Sequence, residues 1–220
     1  KERVEAALKV LISQSLVQKH GDIYVFLTNE EQEINREIEN QVVEMADVIN
    51  KVSEVIFDDI FPDKKYRYPA FNGRYTFAFN QWVDDRPYRS NQSHDIGVKI
   101  LTPQSEYSGE DATLKMISGQ GREVLVVLPN DNAFLEETRV ALKIEKFLKL
   151  NTASSLAKFD QIKEAKSTEM RECRERAKLF LVEALKNADI YVNGDKAAIG
   201  SKEVSTRIND ALKRLISSVY

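Results

Sequence analysis

The sequence predicts an α+β chain: a partial winged-helix-like start, long charged helices, a small three-stranded mixed sheet, and a β-hairpin and helix at the C-terminal end. Three observations predict it. Apolar residues recur every three or four positions over 34–56, and 153–187 is a second long helical stretch dense in charge. Three runs, 75–83, 95–101 and 123–128, are rich in β-branched, aromatic and leucine residues and read as strands. Asn193-Gly194 lies between two apolar flanks, the strongest short-range hairpin signal a sequence can carry.

Taken in order, Val4, Ala7, Leu8, Leu11 and Ile12 sit at helical spacing, and the helix is expected to end near Ser15. Residues 16–27 then form two short extended runs around Lys19-His20-Gly21-Asp22. A helix followed directly by a hairpin has the order of the last helix and wing of a winged-helix domain, so 1–28 reads as a winged-helix-like remnant, used either for packing or for DNA contact. Thr28-Asn29-Glu30-Glu31 supplies an N-cap with acids in the first turn, where the helix dipole favours them. One helix to about Phe57 is expected, with Ile34, Ile38, Val42, Met45, Ile49, Val52 and Ile56 as a single buried stripe. Residues 30–63 hold eleven acids and two bases, an anionic face that cannot serve as a phosphate contact. Residues 64–99 reverse the balance, with seven bases and three acids.

The run 123–128 is continuously apolar from Val124 on, as in a strand buried on both faces, and Pro129 ends it. A helix follows over 134–150, and after a short break comes the long helix of 153–187, whose surroundings (143–178) carry ten bases and six acids. Its charge is opposite to that of the acidic helix, which predicts that the two are neighbours. The Asn-Gly hairpin spans 189–199, and a last helix, capped by Ser201, buries Val204, Ile208, Leu212, Leu215 and Ile216. The expected divisions are 1–28, 29–152 and 153–220.

Composition narrows the function classes. With 220 residues, 42% apolar and 30% charged, the chain can bury a core and is neither disordered nor a disulfide scaffold. One Cys and two His make neither an intrachain disulfide nor a common structural zinc site, and they point to a reducing, cytoplasmic compartment. No apolar run approaches the roughly 20 residues that span a bilayer. The opening Lys1-Glu2-Arg3-Val4-Glu5 is a charged helical register, which suggests a segment of a longer protein. A net charge of −3 argues against a generally basic nucleic-acid binder, though it is the sum of acidic and basic stretches and leaves a local one open.

Signs of catalysis are weak. No Gly-x-x-x-x-Gly-Lys-[Ser/Thr] occurs, and Gly109, Gly119 and Gly121 do not have dinucleotide spacing, so no nucleotide cofactor is expected. Ser93-His94-Asp95 are contiguous, which a catalytic triad is not. Cys173 lies among arginines but reads as a small buried residue. Asp58-Asp59 and Asp84-Asp85 are the paired carboxylates a metal-dependent nuclease would need; the plainer reading of Asp84-Asp85 is a turn that pairs with Arg86 or Arg89. No metal ligands are assigned. The polar stretch between two strands, with Asp84, Asp85, Arg86, Tyr88, Arg89, Asn91, Gln92 and His94, is the candidate recognition loop, because it carries more hydrogen-bonding groups than a turn requires.

Three stretches carry a resemblance. Phe26 to Ile38, then Asp84-Asp85-Arg86-Pro87-Tyr88-Arg89-Ser90-Asn91-Gln92-Ser93-His94-Asp95 and on to Pro103, then Val124 to Pro129 with Asp189 to Gly194, resemble the middle of the large P-loop protein of bacteriophage-exclusion (BREX) systems, the BrxC/PglY family. The Asp-Asp-Arg-Pro-Tyr-Arg block is the specific part. The resemblance implies a long cytoplasmic protein with an AAA-like ATPase region nearer its N-terminus, acting with a methyltransferase and other partners against phage. It implies for this chain a region outside the ATPase, beginning in a winged-helix-like element, non-catalytic and without a cofactor, an interaction and scaffold segment that contacts other regions of its parent and other BREX subunits. DNA contact through 64–99 is the alternative, and a metal-dependent nuclease ranks below both.

Overall fold

The acidic stretch expected as one helix is two, α2 (Asn29–Glu39) and α3 (Met45–Glu54), and α3 runs on into a π-helical turn, Val55–Ile60. In this computed structural model the described residues are all except Lys1, Ser15, Gly21, Asp22, Ser90, Asn91, Ser108 and 151–156, with the side chains of Glu2, His20, Phe71 and 157–159 also outside the description. They fall into two units, Lys1–Val43 with Arg139–Cys173, and Glu44–Thr138 with Arg174–Tyr220. These boundaries differ from the expected ones at 28 and 152. They also explain the broken helix: Ile34 and Ile38 are buried in the first unit, whereas Val48, Ile49, Val52, Ile56 and Phe57 are buried in the second. One periodic stripe is shared between two cores.

In the first unit, α1 (Glu2–Ser13) leads into β1 (Val17–His20) and β2 (Ile23–Phe26), which pair antiparallel with Val17 opposite Phe26. The expected helix and hairpin are therefore present. A winged-helix domain needs a helix-turn-helix core beside its wing, and among the described residues only α1 precedes the hairpin, so the fold does not display one. Thr28 caps α2 reciprocally: its hydroxyl accepts from the Glu31 N–H at 3.2 Å, and its own N–H donates to the Glu31 carboxylate at 2.8 Å. Ile34 and Ile38 pack with Ile144 and Phe147 of α5 (Ala133–Leu150), against Ile162 and Met170 of α6 (Ala157–Lys186). Lys143 and Lys146 donate to the Glu39 and Val42 carbonyls at 2.7 and 2.9 Å, satisfying acceptors at and just past the C-terminal end of α2, where the dipole favours cations. Cys173 is buried, as expected.

The second unit is built on a seven-stranded sheet rather than a three-stranded one. The three expected strands are present as β4 (Thr76–Val83), β6 (Ile96–Leu101) and β7 (Glu123–Val127), paired in parallel in that order. Two short strands, β3 (Lys65–Arg67) and β5 (Arg86–Pro87), pair antiparallel on the free edge of β4. On the other side β8 (Asp189–Val192) pairs antiparallel with β7, and β9 (Asp195–Lys196) with β8, so the C-terminal hairpin joins the sheet. The expectation of a small sheet fails because β3 and β5 are too short to carry a pattern and the hairpin's pairing with β7 is non-local.

Asn193 and Gly194 turn the hairpin with φ of 54° and 87°, the left-handed conformation a two-residue hairpin loop of this kind requires. Between β6 and β7 runs an unexpected helix, α4 (Asp111–Gln120), whose Leu114 packs with Leu101, Leu125 and Tyr191. Val98, Ile100, Val124 and Val126 alternate with that set and point to the other face, all at most 1% exposed. The last helix, α7 (Val204–Val219), buries Val204, Ile208, Leu212, Leu215 and Ile216 as predicted, but its cap is Glu203, whose carboxylate accepts from the Ser205 and Thr206 N–H groups. Ser201 instead accepts from the Glu203 N–H at 3.1 Å. The two oppositely charged stretches do meet, through the packing of α2 on α6 in the first unit and an Asp59–Lys178 ion pair of 3.2 Å in the second.

Candidate functional site

The polar loop begins as a two-residue turn. Val83 pairs with Arg86, leaving Asp84 and Asp85 at the tip, and Asp84 has φ of 52°, a left-handed conformation that Asp tolerates better than most residues. Its carboxylate faces inward. Oδ1 accepts from the Thr102 N–H and Oδ2 from the Thr102 hydroxyl, both at 2.8 Å, and Thr102 is fully buried. Burial pushes the Asp84 carboxyl above its usual range, the two bonds from Thr102 pull it down, and neighbouring Asp85 adds to the rise. Asp85 points away to Lys99 at 2.8 Å, and the Lys99 ammonium lies 5.9 Å from the Tyr107 ring centroid. The expected turn is thus present, but its acids pair with Thr102 and Lys99, not with Arg86 or Arg89.

Beyond β5 the loop runs back along the edge of β4 and is pinned to it. The Tyr88 N–H donates to the Gln81 carbonyl at 2.8 Å. The Gln92 side chain substitutes for a missing strand: its Oε1 accepts from the Gln81 N–H at 2.6 Å and its Nε2 donates to the Arg89 carbonyl at 3.0 Å. Asn80 clamps the backbone of His94, accepting from its N–H at 2.9 Å and donating to its carbonyl at 2.8 Å. The His94 side chain is exposed. Asn91 lies outside the described residues.

The anchor of this loop is Asp58, on the π-helical turn. The Tyr88 hydroxyl donates to Asp58 Oδ2, and Arg89 Nη2 donates to Asp58 Oδ1 at 2.9 Å and to the Tyr88 oxygen at 3.3 Å. The Tyr88 ring lies 5.2 Å from that of Phe57, and the Arg89 guanidinium carbon 5.1 Å from the Tyr88 centroid. Burial, and then the hydrogen bond to Asp58, push the Tyr88 hydroxyl pKa up, so it remains a donor near neutral pH. Arg89 has φ of 138°, left-handed backbone held in place by these contacts. Arg86 is exposed and has no partner among the described residues.

The structure therefore gathers Tyr88, Arg89 and Gln92 on a common support and sends Asp84 and Asp85 to different partners. Nor do the two acid pairs combine: Asp58 holds Tyr88 and Arg89, and Asp59 pairs with Lys178. Among the described residues no three His, Cys, Asp or Glu side chains gather as a metal site. What the sequence reading missed are the supports, Asp58 as anchor with Asn80, Gln81, Lys99 and Thr102; Asp58 was visible only as half of an acidic pair. Chemically the loop offers outward donors, Arg86, the half-exposed Arg89 and the His94 ring, on a braced backbone.

A separate cavity of about 790 Å³ opens beyond the carboxyl ends of β6 and β7, where open α/β sheets commonly take ligands. Its charges are internally paired, Asp111 with Lys115 and Asp189 with Lys196, both at 2.7 Å. Tyr191 donates to Asp111 at 2.9 Å, and burial together with that bond pushes its hydroxyl up to about 12. No helix among the described residues is long and apolar enough to cross a membrane.

No solved structure matches the chain. A protein family does, described as BREX ATP-binding protein BrxC 4th domain with six-stranded beta sheet, over residues 41–215. The sheet agrees with that description: β3-β4-β6-β7-β8-β9 is a path of six strands, and the two-residue β5 is an addition on the edge of β4. A match over most of the chain, with the sheet in agreement, places this protein in the BrxC family of BREX ATP-binding proteins, over its fourth domain.

Proposed function

We propose that this chain is a non-catalytic interaction and scaffold segment of a bacterial phage-defence (BREX) ATP-binding protein, cytoplasmic and without a cofactor of its own. The family description numbers the matched domain fourth, so in this reading it follows other domains of the same polypeptide and contacts them and other BREX subunits. One observation carries it: all four acids of the two Asp pairs are engaged in holding the fold, with Tyr88 and Arg89, Lys178, Thr102 and Lys99. The site residues brace a surface. They do not leave carboxylates free for a metal or a nucleophile, which counts against the nuclease reading.

A second reading, nucleic-acid contact, is favoured by a specific feature: Lys64, Lys65, Arg74 and Arg86 are exposed and have no partner among the described residues. The full-length protein decides between them. The scaffold reading expects that Arg86→Ala with Arg89→Ala weakens co-purification of other BREX subunits and leaves DNA binding unchanged. DNA affinity that falls steeply with salt, with the slope reduced by about one to two in the double variant, would replace it with nucleic-acid contact. Magnesium- or manganese-dependent cleavage abolished by Asp84→Asn would replace both.

A further inference from the structure

An exposed apolar surface lies on the first hairpin and the helix before it. All four residues of β2 are exposed, Ile23 by 67%, Tyr24 by 41%, Val25 by 44% and Phe26 by 76%. Side chains alternate along a strand, so Ile23 and Val25 make one face apolar and Tyr24 and Phe26 the other. A strand with one wet face alternates apolar with polar, and a strand apolar on both faces belongs inside a sheet. Yet β2 pairs only with β1, and its other edge has no partner among the described residues. A two-stranded ribbon is marginal by itself, and a flat, hydrophobic open edge is a template for another strand. The neighbouring helix adds to the exposed apolar surface with Val4 at 62%, Val10 at 53% and Ile12 at 38%.

We infer that β2 is an interior strand of a sheet completed by the domain that precedes this one in the same polypeptide, which pairs along the open edge and covers both faces. The occupant follows from the family match, which begins at residue 41, leaves this hairpin outside the matched domain and numbers that domain fourth. The inference rests on the reading of the chain as one domain of a larger BREX protein. The hairpin then belongs structurally to the preceding domain, and the connection between the two domains runs through α2.

The backbone supplies a specific test. Leu27 donates its N–H to the Leu16 carbonyl at 3.0 Å, and with Val17 opposite Phe26 this register turns the Ile23 and Val25 N–H groups toward β1 and those of Tyr24 and Phe26 away from it. In the full-length protein, site-resolved hydrogen exchange is expected to show the Tyr24 and Phe26 amides slowed about 100-fold relative to an open chain. A p-benzoylphenylalanine photo-crosslinker in place of Tyr24 is expected to join β2 to sequence N-terminal of residue 1 in the same polypeptide. Crosslinks between two copies, seen as a doubled mass, would overturn the inference in favour of self-association through the β2 edge. Free exchange at Tyr24 and Phe26 with no crosslink would overturn it as well. Failure of the larger-protein reading is separately visible, as an intact mass for the natural polypeptide that leaves no preceding domain.

Discussion

Replacing Asp84 by alanine removes the side chain that ties the turn after β4 to Thr102, just past the end of β6. Two effects add. The Thr102 N–H and hydroxyl, fully buried and held at 2.8 Å, lose their acceptor, and stranded buried donors cost about 1–3 kcal/mol. That loss belongs at the middle of the range, about 2 kcal/mol, because the carboxylate is itself penalised by burial and its removal relieves that penalty. The backbone supplies the second effect: at φ of 52° alanine costs about 1 kcal/mol more than a residue that tolerates left-handed backbone. Asp84→Ala is therefore expected to destabilise by about 3 kcal/mol, which in a chain of this size lowers Tm by roughly 6–12 °C. Asp84→Gly loses the bonds without the strain, about 2 kcal/mol. Asp84→Asn keeps an acceptor for the Thr102 N–H and tolerates the backbone, costing about 1 kcal/mol or less. The assay is urea unfolding followed by the fluorescence of Trp82, the chain's single tryptophan, which lies two residues before Asp84 in the same unit. A glycine variant less stable than the alanine variant would refute the backbone argument. An alanine variant as stable as the parent would refute the structural role of Asp84 altogether.

Two further changes probe the same unit. A Cβ on Gly97 would lie 3.2 Å from Glu123 Cγ and 3.4 Å from Asn80 Cβ, so Gly97→Ala is expected to cost about 1–2 kcal/mol by the same fluorescence assay. Most of that loss returns when Glu123→Ala is added, and a double variant with no recovery would show that the crowding lies elsewhere. Glu203 is held below its ordinary 4.5, chiefly by the Thr206 hydrogen bonds, so its contribution to stability is present above pH 4.5 and is lost as pH falls through the lower folded value. Chemical denaturation across pH is expected to find the Glu203→Gln variant less stable near neutrality, with the gap to the parent closing in acid; a gap independent of pH would reject the charged cap. Asp84, raised by burial, has the opposite sign: its contribution is present below 3.8 and is lost as pH rises through the folded value.

Much of the secondary structure was legible because its causes are local. The strand over 123–127 announces itself by the uninterrupted apolar run from Val124 to Leu128, the turn at Asn193-Gly194 by a residue pair suited to it, and α7 by a stripe of buried residues. The capping box of Thr28 and Glu31 is likewise a local pattern. The helix break at 40–44 was hidden because the apolar period continues through it; only the assignment of Ile34 and Ile38 to one unit and of Val48, Ile49 and Val52 to the other separates α2 from α3. The strands β3 and β5, three and two residues long, are too short to show a period.

The loop divides in the same way. Its composition marked it as a place where polar groups concentrate, and its first two residues were correctly read as a turn. The partners were not readable: Asp84 reaches Thr102 eighteen residues away, Asp85 reaches Lys99 fourteen away, and Arg89 reaches Asp58 thirty-one away. The sequence by itself determined most of the helices, the longer strands, the turns at Asp84-Asp85 and Asn193-Gly194 and the apolar stripe of the last helix, since these depend on spacing along the chain and on preferences of single residues and their near neighbours. Only the tertiary structure decided that seven strands form one sheet, that a single apolar stripe serves two cores and that Asp58 holds the loop after β5 through Tyr88 and Arg89, because each joins groups far apart in the chain whose meeting depends on how all the other segments pack.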